Sequence, residues 1–321
     1  MKKLPLLVIT LLLMVSLTCS CQTTSPQTQQ AVRIGYLELV TNLPFFVADE
    51  KGFFTDAGVK YVAIPYPTSN QLAEDLAAGH IDCFTGASVV PVLQCELVSP
   101  GKIKIFSTSR ITENNPFDAI FVVDSSPIHT LADLQGRKIA VFPGATASAL
   151  LKKFLTDNGI DTSTVTFVSI APDQNIDALT EGKVDAIYAY EPTVTAAAAT
   201  PLLRKLYGSV YAALLSPNPI SVSAINSGFA KEHPKTAASL ITAFERAFDF
   251  LITNDEESRA LLAKRTGLPQ NVAEQCNLLY MLPHRKIDPE NLRKFALLLE
   301  QIGEIKHPIK TETIIYHSNA R

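Results

Sequence analysis

Four short segments hold most of the residues whose types could meet a small molecule. Pro143-Gly144-Ala145-Thr146-Ala147-Ser148 joins a glycine, which lets backbone approach closely, to two hydroxyls beside the free amides of a following helix. Through Gly144, Thr146 and Ser148 such a turn suits an anion or a carbonyl, although small polar residues at a helix start are also ordinary caps. Thr85-Gly86-Ala87-Ser88 carries the same two readings, with Thr85, Gly86 and Ser88 as candidate contacts and Gly86 and Ala87 leaving space. In Tyr190-Glu191-Pro192-Thr193 the Glu191 carboxylate could accept from a ligand amine or ring N–H, or favour the dipole of its own helix. The segment from Tyr36 to Phe45 adds Asn42 and two aromatics. Tyr36, Phe45 and Tyr190 could sandwich a planar solute, because aromatic faces supply contact area at little entropic cost. Tyr188 reads as core.

No catalytic constellation accompanies these segments. The chain has no G-x-S-x-G, no H-E-x-x-H and no G-x-x-x-x-G-K-[ST]. Its six histidines are scattered, and His80 and His233 fall in helix-boundary turns that read as surface. Without a nucleophile–base pair or a paired acid and base, catalysis is disfavoured and no cofactor is expected. Beyond Cys21 only Cys83, Cys95 and Cys276 remain, with no CxxC and no histidine at ligand spacing, so no metal is expected. A Cys83–Cys95 disulfide and buried free thiols are both compatible with the spacing.

The elements that must position the four segments follow from the rhythm of the chain. Val32–Leu37, Tyr61–Ile64, Ile81–Phe84 and Ile103–Ser107 read as strands, separated by helical stretches ending at Gly52 and Gly79 and by a helix over Val89–Val98. Strands alternating with helices of about ten residues imply parallel β-α-β units. After a strand Ala119–Val123 the rhythm restarts, with strands Lys138–Phe142, Val165–Ile170, Ala186–Tyr190 and Lys205–Tyr207 and helices between them. This is a second α/β lobe, residues 124–211, inserted between residues 31–123 and 212–321 of the first. Ala212–Asn226 reads as β-like, and Lys235–Asn254 as an amphipathic helix with Leu240, Ile241, Phe244, Phe248, Leu251 and Ile252 on its apolar stripe. Leu292–Ile302 repeats that pattern. In open α/β sheets ligands collect beyond the carboxyl ends of strands, where helix N-termini present unpaired amides, and that rule selects the four segments.

The N-terminus fixes the expected compartment. Lys2 and Lys3 precede an apolar run from Leu4 to Leu17 that stops at Thr18-Cys19-Ser20-Cys21, too short for a membrane span and built like a secretory signal over residues 1–20. Cys21 is the expected lipidation site, with Cys19 as a rival position and a plain secreted protein as the alternative. Residues 21–30 are polar and read as a flexible tether. The net charge of −3 over 28 basic and 31 acidic residues argues against nucleic acid, which calls for a basic face.

Several stretches together resemble a known family. They are Leu43-Pro44-Phe45-Phe46-Val47-Ala48-Asp49-Glu50-Lys51-Gly52-Phe53-Phe54, the unit Leu72 to Asp82, Ser126-Pro127-Ile128, Leu131 to Val141, and Glu181-Gly182-Lys183-Val184-Asp185-Ala186 followed by Glu191-Pro192. They are similar to the substrate-binding proteins of nitrate, sulfonate, taurine and thiamine-precursor ABC importers. The resemblance implies an α/β fold of the type II periplasmic-binding kind, with two doubly wound lobes, two crossings and a ligand between the lobes. It further implies an extracytoplasmic, membrane-anchored monomer that serves an ABC permease and its ATPase. Family members often carry Trp-Asp before the proline where this chain has Tyr190-Glu191, and the chain has no tryptophan. Lys and Arg are absent from the four segments, which leans the expected ligand towards a neutral or weakly basic planar compound. A pyrimidine-precursor enzyme on the same fold and an extracytoplasmic sensor domain are the alternatives.

Overall fold

Apolar runs and capped helices resolve into two sheets. In a computed structural model, which describes residues 31–317, all within one compact unit, the chain opens with β1 (Val32–Tyr36), α1 (Leu43–Glu50), α2 (Phe53–Asp56) and β2 (Tyr61–Pro65). There follow α3 (Ser69–Ala78), β3 (Cys83–Ser88), α4 (Val89–Val98) and β4 (Ile103–Ser109). A first crossing leads to β5 (Asp118–Val123), β6 (Lys138–Val141), α5 (Ala145–Asp157), β7 (Thr166–Ser169), α6 (Asn175–Thr180), β8 (Ala186–Tyr190), α7 (Thr193–Ala198) and β9 (Leu203–Tyr207). A second crossing, which holds α8 (Val210–Leu214), returns the chain to β10 (Ser221–Asn226), α9 (Ser227–Glu232), α10 (Pro234–Thr253), α11 (Asp255–Thr266) and α12 (Gln270–Ala273). β11 (Met281–Pro283), α13 (Pro289–Gln301) and α14 (Thr311–Ile314) complete it. The expected signal segment, the Cys21 lipidation site and the tether lie outside the described residues.

The first sheet has strand order β11-β4-β10-β3-β1-β2 and the second β7-β6-β8-β5-β9. Strands joined through helices are parallel, as the rhythm implies: β1 with β2 and β3, and β6 with β7 and β8. The two strands that follow a crossing are antiparallel to both neighbours, β5 between β8 and β9 and β10 between β3 and β4. A strand entering straight from the other sheet needs no crossover helix, so it runs against its neighbours.

That arrangement moves the expected lobe boundary. β5 pairs with β8 and β9, so the second lobe begins at Asp118 rather than at residue 124, and the first crossing covers residues 110–117. The strand gives no internal sign of this, because five of its six residues are buried and either sheet would accept it. The second crossing covers residues 208–220. Part of it, expected to be β-like, is helical: Ser209 starts α8 by accepting a hydrogen bond from the Ala212 amide at 3.1 Å.

Helices cover both faces of the second sheet. Ile120, Ile139 and Tyr188 pack with Leu151, Phe154 and Leu155 of α5, while Phe121, Ile187 and Ala189 pack with Leu179 of α6 and Val194 of α7. The first sheet packs Ile34, Phe84, Ile105 and Phe106 with Leu240 and Phe244 of α10 and Phe295 of α13. The α10 stripe is buried as its spacing requires, apart from Ile252, which faces solvent. Cys83, Cys95 and Cys276 are all free, so no disulfide joins the first two. Among the described residues no helix is long and apolar enough to cross a membrane.

Candidate ligand cleft

The hinge comes first, because it decides which loops can face each other. The crossings touch where the Asn218 amide donates to the Ile111 carbonyl at 2.8 Å, and the Ser109 hydroxyl donates to the Asn218 carbonyl at 3.0 Å. Asn218 is wholly buried, and its side chain donates to the Tyr211 carbonyl at 2.9 Å while accepting from the Ile220 amide at 3.0 Å. A few hydrogen-bonded residues at the base of two crossings form a hinge, with the carboxyl ends of β1, β3, β6 and β8 carrying the four predicted segments.

On the first lobe most predicted contacts are committed to the fold. Thr85, Gly86 and Ser88 do not form a turn; they continue β3, because β10 pairs Val222 with Ala87 and Ser221 with Ser88. Thr85 is wholly buried, with its hydroxyl 2.7 Å from that of Ser223. Gly86 is required by the chain itself: at φ 68° a Cβ there would stand 2.0 Å from the Thr41 carbonyl oxygen. Asn42 fastens the same junction, donating to the Gly86 carbonyl at 3.4 Å and accepting from the Leu37 amide at 3.2 Å. Ser88 caps α4 by accepting from the Val90 amide. Phe45 is buried and Tyr36 stacks on it at 4.9 Å, within a cluster that includes Phe46 and Phe54. Of this set Tyr36 alone keeps a partly exposed ring; Leu39, in the same loop, is exposed and was missed.

The second lobe is more open. Gly144 is exposed at φ 125° with nothing near its Cβ position, and it caps α5 without a side-chain hydrogen bond. The turn that leads into that 13-residue helix is therefore open at Gly144, and no side chain caps the first amides. The Ser148 hydroxyl donates to the Ala145 carbonyl at 2.8 Å, a bond within the first turn of α5. Thr146 reaches the other lobe, donating to Glu304 at 2.7 Å. Phe142, immediately before the loop, is 38% exposed and lies edge-on to Tyr190 with centroids 6.0 Å apart. It too was missed, because a strand's last residue carries no periodic signal of which way it points. Tyr190 stacks on Tyr211 at 5.4 Å, and its hydroxyl is buried with no partner in hydrogen-bond geometry among the described residues.

Two buried carboxylates flank Tyr190. Asp118 sits opposite it in the β5–β8 register and accepts from Tyr188 at 2.9 Å, from the Tyr211 amide at 3.1 Å and from the Ser209 hydroxyl. Burial pushes its carboxyl up to about 6, against the pull of those hydrogen bonds. Glu191, expected to face the ligand or its own helix dipole, is 5% exposed and accepts from the Thr195 hydroxyl at 2.8 Å and the Thr195 amide at 3.2 Å. Its other partners come from the first lobe: the Asn277 amide at 3.2 Å, Asn277 Nδ2 at 3.1 Å and the Cys276 thiol at 3.5 Å. Burial holds this carboxyl above the ordinary carboxylate range. Burial and the adjacent carboxylate also drive the Cys276 thiol upward, the reverse of what activates a nucleophile. Asn277 lies 86 positions from Glu191 in a stretch without periodicity, and nothing in the sequence marks the pair.

With this geometry in place, the comparisons assign the family. The NMT1/THI5-like family model matches residues 41–258, which run from the loop after β1 into α11 through both sheets, and the chain belongs to that family. A relative from Escherichia coli K12 named for aliphatic-sulfonate binding is 27% identical over 247 residues, covering 73% of this chain and 70% of its own. The periplasmic aliphatic sulphonate binding protein SsuA from Escherichia coli shares the fold at a TM-score of 0.75 and 21% identity, with 90% of this chain and 92% of that one covered. The desulfurization enzyme DszB shares it at 0.67 and 18%, covering 88% and 96%. The architecture is that of a type II periplasmic binding protein.

Proposed function

We propose that this chain is the extracytoplasmic solute-binding component of an ABC importer and that it closes its lobes on a small organic oxyanion. The observation that carries the reading is the pairing of the two-crossing hinge with the open Gly144 turn that leads into α5. Helix amides and an open glycine turn suit a sulfonate or carboxylate head, and Phe142 and Tyr190 beside them suit its organic part. Arg110, exposed at the end of β4, has no acid within ion-pair distance among the described residues and is available to a monoanion. The lean towards a neutral or weakly basic planar ligand rests on the absence of Lys and Arg from the four segments, and the one carboxylate there that could receive such a ligand, Glu191, is occupied by protein donors. Relatives named for sulfonate binding support the same class. The raised Cys276 thiol speaks against a catalytic use of the cleft. Lipid anchoring through Cys21 and docking on a permease as a monomer are parts of this proposal.

The test is a thermal-shift screen followed by titration calorimetry with alkanesulfonates, nitrate, pyrimidines and amines. An alkanesulfonate should raise the midpoint by mass action and give saturable heat. Replacing Arg110 by alanine should weaken that binding about tenfold, the scale of one charge-assisted contact. Saturable binding of a pyrimidine or an amine, with no response to sulfonates, would overturn the ligand class.

A further inference from the structure

We propose that Glu191 is a positioning residue that clasps the two lobes, so that closure of the cleft carries a proton with it; this rests on the two-lobed binding reading above. Glu191 stands at the end of β8, and the residues that cover it from the first lobe belong to the segment after α12. That segment is itself held firmly: the Arg259 guanidinium of α11 donates to the Cys276 carbonyl and is fixed by Asp255 at 2.6 Å. The clasp therefore joins two rigid supports. Thr195 reinforces it with a long contact to the Gln275 carbonyl at 3.5 Å.

The groups facing Glu191 decide its response to protons. From its own lobe they are Thr195 and the amide at its helix start, both neutral. From the first lobe they are Asn277, which is neutral, the Cys276 thiol, and behind it Arg259, whose charge Asp255 balances. No cation touches the carboxylate directly among the described residues. Separating the lobes removes Asn277 and Cys276 and admits water, returning the carboxyl towards its ordinary range. Because burial holds it higher when the lobes are together, closing takes up a fraction of a proton, and lower pH favours the closed form. Linkage makes this reciprocal, so whatever closes the cleft also draws a proton.

Small-angle scattering of the full chain without added ligand, followed from about pH 4 to pH 7 across the carboxylate range, tests this directly. The wild type should become more compact as pH falls, Glu191→Gln should lose that dependence while staying folded, and Glu191→Ala should be expanded throughout. Asn277→Ala, on the other side of the clasp, should expand the protein as much as Glu191→Ala, and the double variant no further. In the presence of a saturating alkanesulfonate, calorimetry in buffers of different ionisation enthalpy should show proton uptake on binding that vanishes in Glu191→Gln, and Glu191→Ala should bind about tenfold or more weakly. An unchanged pH response in Glu191→Gln, or wild-type dimensions in both alanine variants, overturns the clasp. If no sulfonate binds the wild type, the ligand proposal fails, while the scattering series still decides the clasp.

Discussion

Asp118 opens β5 opposite Tyr190, and Glu191 follows Tyr190 on the adjacent strand, yet the two carboxylates answer to different parts of the chain. Every side-chain or backbone donor named for Asp118 comes from β8 or from the start of the second crossing, and none from the first sheet or its helices. Three of the five donors to Glu191 come from the first lobe. Both groups are desolvated and both are raised, so burial alone does not distinguish them. What distinguishes them is the motion that exposes each: unfolding for Asp118, lobe opening or unfolding for Glu191. A buried carboxylate reports on whichever process separates it from its donors.

The sharpest way to break this contrast is to remove the hinge-side acceptor. Asp118→Ala would leave the Tyr188 hydroxyl, the Ser209 hydroxyl and the Tyr211 amide buried without an acceptor, at about 1–3 kcal/mol each. Relief of a desolvated charge offsets part of that, so a net loss of about 3 kcal/mol in urea unfolding is expected. A loss below about 1 kcal/mol would mean that the network is not what fixes the base of the second lobe.

A milder version separates charge from hydrogen bonding. The folded carboxyl of Asp118 lies near 6 and its ordinary value is 3.8, so the folded state holds the proton more tightly than the unfolded one. Its contribution is fully present below the ordinary value and is lost as pH rises through the folded value. By the pKa difference that loss amounts to at most about 3 kcal/mol between pH 4 and pH 7. Asp118→Asn, nearly isosteric, should not show it. The stability of the variant minus that of the wild type should therefore grow by up to this amount over that window, as followed by unfolding at each pH. A constant difference would place the titration elsewhere.

The contrast also explains what could be read from the sequence. Local rules hold where the determinants are local: α3, α4 and β8 begin and end at the residues that periodicity and glycine stops indicate. The family stretch around Asp49-Glu50 proves to be architectural, since Asp49 and Glu50 bind Arg265, Lys264 and Tyr61 across α1, α11 and β2. Local rules fail where a distant partner decides. Thr85–Ser88 looks like a glycine turn until β10, more than 130 positions later, pairs with it and makes it strand. Glu191 looks like a cleft carboxylate until Asn277 arrives from the other lobe. In each case small or polar residues were read as available to a ligand, and the long-range fold had already used them.

An inter-lobe contact made by one side-chain hydrogen bond tests the comparison most finely. Thr146 and Glu304 also join the lobes, through one hydrogen bond of 2.7 Å between a half-buried hydroxyl and a carboxylate. Unlike the Glu191 clasp it is a single bond, and water can replace either partner when the lobes part, so its net value should be near that of an ordinary bond, about 1 kcal/mol. Thr146→Val removes it while keeping the side-chain shape. The closed fraction seen by scattering, or the affinity for an alkanesulfonate, should fall by no more than about fivefold, the equivalent of that energy. Because Glu304 remains solvated when unpaired, no desolvation penalty is left behind, and the pH response of closure should be unchanged. A larger effect than that of Glu191→Ala would move the clasp from the β8 side of the cleft to the α5 side.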